Sequence, residues 1–79
     1  MRYYIAGQGG PEDSYNLPKP YEEDIPGSAI LAAEDYHTHH DGWEDSWPLT
    51  IVMVSDDLVE LGAFIIDREA VPYFFIAGV

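Results

Sequence analysis

Two stretches of this chain concentrate side chains that can do chemistry. The first is Tyr36-His37-Thr38-His39-His40-Asp41, where His37 and His40 stand three positions apart and Asp41 and Glu44 follow closely. Imidazole and carboxylate together can bind zinc or another divalent metal, so His37, His40 and Asp41 form a candidate metal set. The spacing is not the His-Glu-x-x-His arrangement, and no distant third ligand stands out. The competing reading is a polar helix end, where a protonated imidazole interacts favourably with the helix dipole. The second stretch is Asp41-Gly42-Trp43-Glu44-Asp45-Ser46-Trp47-Pro48. Its two tryptophans, four residues apart among carboxylates, either anchor a partner or cap the end of a small core with the carboxylates projecting outward.

Other chemistries fail on residue type or spacing. There are no cysteines, which removes disulfides, thiolate zinc sites and thiol catalysis. Ser14, Ser28, Ser46 and Ser55 sit in no Gly-x-Ser-x-Gly elbow. Gly7-Gln8-Gly9-Gly10 lacks the Lys-Ser/Thr ending of a phosphate loop. Paired carboxylates can hydrolyse glycosides, but only in a cleft that raises the pKa of one of them, and 79 residues leave little room for a cleft. The expectation is a protein that is not an enzyme and carries no cofactor.

Charge then becomes the leading feature. Asp and Glu number 15 against 3 Lys and Arg, a formal net charge of −12. Arg2, Lys19 and Arg68 are far apart in sequence, so the reading excludes direct binding to nucleic acid or to an anionic membrane. An acidic surface is instead steered towards basic ones, and basic surfaces in cells are commonly nucleic-acid-binding sites. The expected partner is a protein with such a surface, and the candidate contacts are Glu22, Glu23, Asp24, Glu34, Asp35, Trp43, Glu44, Asp45, Asp56 and Asp57. The alternative is that the charge serves solubility alone. A cysteine-free domain fits a reducing cytoplasm, and no segment is apolar for long enough to span a bilayer.

The elements that must position these residues follow from pattern. The whole chain, 1–79, reads as one α+β domain of order β-α-β-β-β, a small antiparallel sheet with one helix packed on one face. Arg2 to Ala6 is a first strand, ended by Gly7, Gly9, Gly10 and Pro11. Residues 8–27 form a long acidic loop rich in Pro and Gly, which Tyr15, Leu17, Tyr21 and Ile25 can pin to the body. Ser28 is the expected N-cap of a helix from Ala29 to about His40. Ala29, Ala32, Ala33 and Tyr36 give it one apolar face, and Gly42 is its expected stop. Three strands follow, at Leu49–Ser55, Val59–Ile66 and Val71–Ala77. They join through a tight turn at Asp56-Asp57 and a second turn at Asp67–Ala70, with a bulge expected near Gly62.

These strands are apolar on both faces, and one helix covers only one face of a sheet. The second face therefore predicts either a closely packed 8–27 loop or self-association, with a homodimer as one outcome.

Between residues 30 and 76 the chain resembles a group of small phage and prophage proteins. The likeness rests on Asp35-Tyr36-His37, on His40-Asp41-Gly42-Trp43-Glu44, on Trp47-Pro48-Leu49, on Leu61-Gly62-Ala63-Phe64, and on Arg68-Glu69-Ala70-Val71-Pro72-Tyr73-Phe74. By size, acidity and lack of cysteine, though not by motif, the chain also resembles anti-CRISPR inhibitors. That likeness implies stoichiometric binding to a host CRISPR–Cas complex inside the bacterial cytoplasm, a type I surveillance complex above all. The inhibitor would either stand in for DNA or block nuclease recruitment. A His/Asp metal-binding regulatory module and an oligomeric phage accessory protein are the alternative functions.

Overall fold

The computed structural model describes residues 1–68 and 74–77. The elements are β1 (Arg2–Ile5), a 3-10 turn at Pro11–Asp13, β2 (Tyr15–Asn16), α1 (Ile25–His39), a 3-10 turn at Gly42–Glu44, β3 (Leu49–Val54), β4 (Glu60–Arg68) and β5 (Phe74–Ile76). The strands form one sheet in the order β2-β1-β3-β4-β5, antiparallel at every pairing. This is the expected α+β architecture with one helix on one face, enlarged by β2. That short strand arises inside the 8–27 segment, where Tyr15 pairs with Tyr3 and Asn16 with Arg2.

The helix starts earlier than the sequence suggests. Asp24, not Ser28, is the N-cap, and its Oδ1 accepts the Gly27 N–H at 3.0 Å. Pro26 falls in the first turn, where its missing N–H leaves no bond unmade. Ser28 is buried one turn in. Its hydroxyl accepts the Tyr21 N–H and donates to the Tyr21 carbonyl, both at 2.8 Å, and so ties the incoming loop to the helix. At the other end Gly42 is not the stop. His40 is the C-cap and Asp41 takes the left-handed conformation at φ 58°.

Gly42 has a different task. A Cβ there would meet Tyr36 Cδ2 at 2.6 Å and the His37 backbone at 2.8 Å. Only glycine lets the chain double back so closely on the helix end. The peptide between Trp47 and Pro48 is cis.

Register sorts the strand residues by face. Tyr3, Ile5, Ile51, Met53, Ile66 and Phe74 turn towards α1 and pack with Ala29, Ala32, Ala33, Tyr36, Met1 and Leu17. Three alanines at the contact let the helix lie close to the sheet. The β3–β4 register shifts at Met53/Val54, opposite Gly62 and Glu60, which places the expected bulge. β4 runs two residues past its expected end, so Asp67 and Arg68 lie in the strand and not in a turn. The expected turn at 69–70 and the start of the last strand at 71–73 lie outside the described residues.

On the second sheet face Val52 and Val54 are buried. Of the 8–27 segment, Tyr15 and Leu17 pack on the helix side, and towards the other face, where Arg2 pairs with Val54, it contributes Ser14. The Ser14 hydroxyl accepts the Arg2 Nε–H at 2.7 Å, and its carbonyl accepts a second Arg2 donor. Among the described residues, no helix is long and apolar enough to cross a membrane.

Candidate functional site

Folding gathers half of the ten candidate contacts at one end of the molecule. Glu22, Glu23 and Asp24 lead into α1, and Asp56 and Asp57 form the β3–β4 turn. The turn is held by Ser55, whose N–H donates to the Val59 carbonyl at 2.8 Å and whose Oγ accepts the Val59 N–H at 3.1 Å. A groove of about 360 Å³ joins the two segments, lined by Glu22, Asp56, Asp57 and Ser55 and by the apolar Met1, Ile25 and Leu61. Beside it lies a shallower recess of about 460 Å³ walled by Tyr21, Glu22, Glu23 and Asp24. Glu22 belongs to both.

Two of these carboxylates already have partners. Asp24 caps the helix. Asp56 Oδ1 accepts from the Met1 ammonium at 2.8 Å. That hydrogen bond and its charge hold the Asp56 carboxyl below the usual carboxylate range, with Arg2 adding a smaller pull. Tyr21 does not pin the loop through its ring, which is 55% exposed; its backbone does so through Ser28.

The remaining candidates lie elsewhere, and two of them are structural. Asp35 accepts the Tyr3 O–H at 2.6 Å and stands 3.6 Å from His40 Nε2. Asp45 accepts the Tyr36 O–H and, at 3.1 Å, the Gln8 side-chain N–H. Burial, and after it the hydrogen bond to Asp45, pushes the Tyr36 phenol up to about 12. Burial and Asp35 raise that of Tyr3 in the same way. Glu34 is exposed on the outer face of α1, beside a shallow groove that also includes Leu17, Leu31 and Thr38. Glu44 and Trp43 are exposed at the C-terminal end of α1, opposite the acidic groove.

The two tryptophans part company. Trp47 packs against the core, meets Phe74 at a centroid distance of 5.2 Å, and donates its indole N–H to the Gly42 carbonyl at 2.9 Å. Trp43 is 55% exposed. Sequence alone gives both residues the same surroundings.

The candidate metal residues diverge. His37 packs edge-on against Phe74 at 5.4 Å, whereas His40 lies on Tyr15 on the β2 side. Asp41 is exposed in the left-handed link between helix and 3-10 turn. Among the described residues, no three His, Cys, Asp or Glu side chains are grouped to hold a metal ion.

Sequence reasoning missed the apolar floor of the acidic groove. Met1, Ile25 and Leu61 come from three separate segments, and nothing local marks them as neighbours of Glu22 and Asp57. Compared with family models, with curated proteins and with solved structures, the chain matches none.

Proposed function

We propose that this protein acts without catalysis, as a stoichiometric inhibitor that docks its acidic end on a basic, nucleic-acid-binding surface of a host defence complex. The observation that carries this reading is the meeting of Glu22, Glu23, Asp24, Asp56 and Asp57 around two adjoining recesses, in a chain of net charge −12. Carboxylates in such an array take the place of phosphates against Arg and Lys. The apolar floor gives the aliphatic stems of those residues a surface to lie along. Association is then fast and weakens with salt. The likeness to phage proteins and anti-CRISPR inhibitors directs the proposal to a type I CRISPR–Cas surveillance complex in the bacterial cytoplasm.

The test is co-elution with that complex on a sizing column, with and without target DNA loaded first. Binding that pre-loaded DNA excludes supports phosphate mimicry, and binding that ignores DNA points to a block of nuclease recruitment. Reversal of Glu22 and Asp57 to Lys together should weaken binding by about 10–100-fold, while Glu44→Lys at the far end changes it little. No association at low salt would remove the CRISPR–Cas target, and equal effects at both ends would remove the acidic groove as the site.

A further inference from the structure

Exposed apolar side chains collect where the carboxylates are densest. Among the described residues six large apolar side chains are exposed, and four of them, Tyr21, Leu58, Val59 and Leu61, belong to the acidic end. Tyr21 walls the recess of Glu22, Glu23 and Asp24, and Leu61 lines the adjoining groove. Leu58 and Val59 follow directly on Asp56-Asp57 in the β3–β4 turn, with Val59 61% exposed.

Leu58 is the costly residue among them. The Ser55 carbonyl accepts the Leu58 N–H at 2.9 Å, and the Ser55 N–H donates to the Val59 carbonyl at 2.8 Å. Asp56, Asp57 and Leu58 thus form a three-residue hairpin loop whose last position is left-handed, and Leu58 has φ 65°. Glycine is at ease there, whereas the Cβ of a leucine crowds the neighbouring carbonyl. The side chain that imposes this strain is 41% exposed, so burial inside the chain recovers little of its cost. Leu58 weakens its own turn through its backbone and also leaves apolar surface in water. Backbone strain of this kind concentrates at ligand clamps and other working sites.

We infer that the acidic end takes a protein segment in which apolar side chains stand beside Lys and Arg, and that its apolar part lands on Leu58, Val59 and Leu61. The inference rests on the reading of this end as a docking surface and names the chemistry of what docks. Charge complementarity sets the basic part. Glu22, Asp56 and Asp57 line the groove, Glu60 follows Val59, and the one cation lining the groove, the Met1 ammonium, is already paired with Asp56. A bare polycation gains nothing from Leu58. A purely apolar segment strips water from the carboxylates without pairing them. A segment with both kinds of side chain meets both needs. Its two contributions respond differently to salt, which screens the ionic contacts and leaves the apolar one in place.

Two fluorescein-labelled peptides of equal charge test this by anisotropy on the full chain. One has Leu and Lys at amphipathic spacing, and the other has Ser in place of every Leu. In about 0.15 M NaCl the Leu-Lys peptide should bind at least about tenfold tighter. Leu58→Gly should weaken it by about 3–10-fold at low and high salt alike and leave the Ser-Lys peptide unchanged. The same variant should raise Tm by about 2–5 °C, because it relieves the left-handed backbone. Val59→Ser should weaken the Leu-Lys peptide in the same direction. Glu22→Lys with Asp57→Lys should weaken both peptides. Equal binding of the two peptides overturns the inference, even where the surveillance complex co-elutes. So does a fall in Tm on Leu58→Gly, which would give the leucine a task inside the fold, and so does a preference abolished by Trp43→Ala at the far end but not by Leu58→Gly. A preference for Leu-Lys that Leu58→Gly removes supports it, even where no surveillance complex co-elutes and the CRISPR–Cas target falls.

Discussion

His40 lies flat on Tyr15, ring centroids 3.9 Å apart and planes inclined by 23°, while its Nε2 faces the Asp35 carboxylate at 3.6 Å. The contact ties the C-cap of the helix to the short edge strand β2. Replacing His40 with Ala removes the stack and should cost about 1 kcal/mol, or a drop of about 4–8 °C in Tm for a domain of this size. Thermal denaturation followed by circular dichroism reads it, and an unchanged midpoint would show that β2 needs no help from the helix end.

The buried phenols set an alkaline limit. In the unfolded chain Tyr36 loses its proton near 10, whereas in the fold it holds it to about 12. A group that is neutral in the fold and ionised in the unfolded chain favours unfolding as pH rises. The stability it contributes is therefore complete below 10 and lost progressively across that window, and Tyr3 shifts in the same direction. Urea midpoints should fall steeply over this range. Tyr36→Phe should flatten the fall; a variant that keeps the wild-type slope would take Tyr36 out of the account.

Gly42 tests the crowding at the helix end. Gly42→Ala drives a methyl into the Tyr36 ring and the His37 backbone, and should cost about 1–3 kcal/mol. Gly10→Ala is the control, because its Cβ meets only Glu12 Oε2, at 3.6 Å. Equal denaturant midpoints for the two variants would contradict the close approach.

Trp43 and Trp47 should separate cleanly. Trp47→Ala removes a ring packed on the core and should cost about 3–4 kcal/mol, whereas Trp43→Ala should stay within about 0.5 kcal/mol of wild type. Acrylamide quenching offers a second view. In Trp47→Phe the surviving indole should be readily quenched, and in Trp43→Phe it should be shielded.

Apolar runs between turn residues make the sheet legible. Apolar, β-branched runs at Leu49–Val54 and Leu61–Ile66, with turn residues between, are enough to place β3, β4 and the hairpin. The helix start was harder to read because Pro26 and Gly27 look like breakers, yet Pro is at home in a first turn and Asp24 was already there to cap it. β2 gave no signal, since two residues cannot show a period. Asp35 and Asp45 read as surface charges because the hydroxyls they serve, on Tyr3 and Tyr36, lie 32 and 9 positions away. Side-chain hydrogen bonds to distant partners leave no local trace. For the same reason three apolar residues beneath the acidic groove stayed hidden.

The residues from His40 to Pro48 work as one structural unit. Gly42 clears space for the turn, Trp47 bonds back to its carbonyl, and Asp45 takes the Tyr36 hydroxyl. The block is a corner joint, a piece of carpentry between helix and central strand. What it specifies is a shape. The groove of Glu22, Asp56 and Asp57 sits at the far end of the molecule, bound by none of the joint's geometry. The same corner is compatible with entirely different surfaces elsewhere on the molecule.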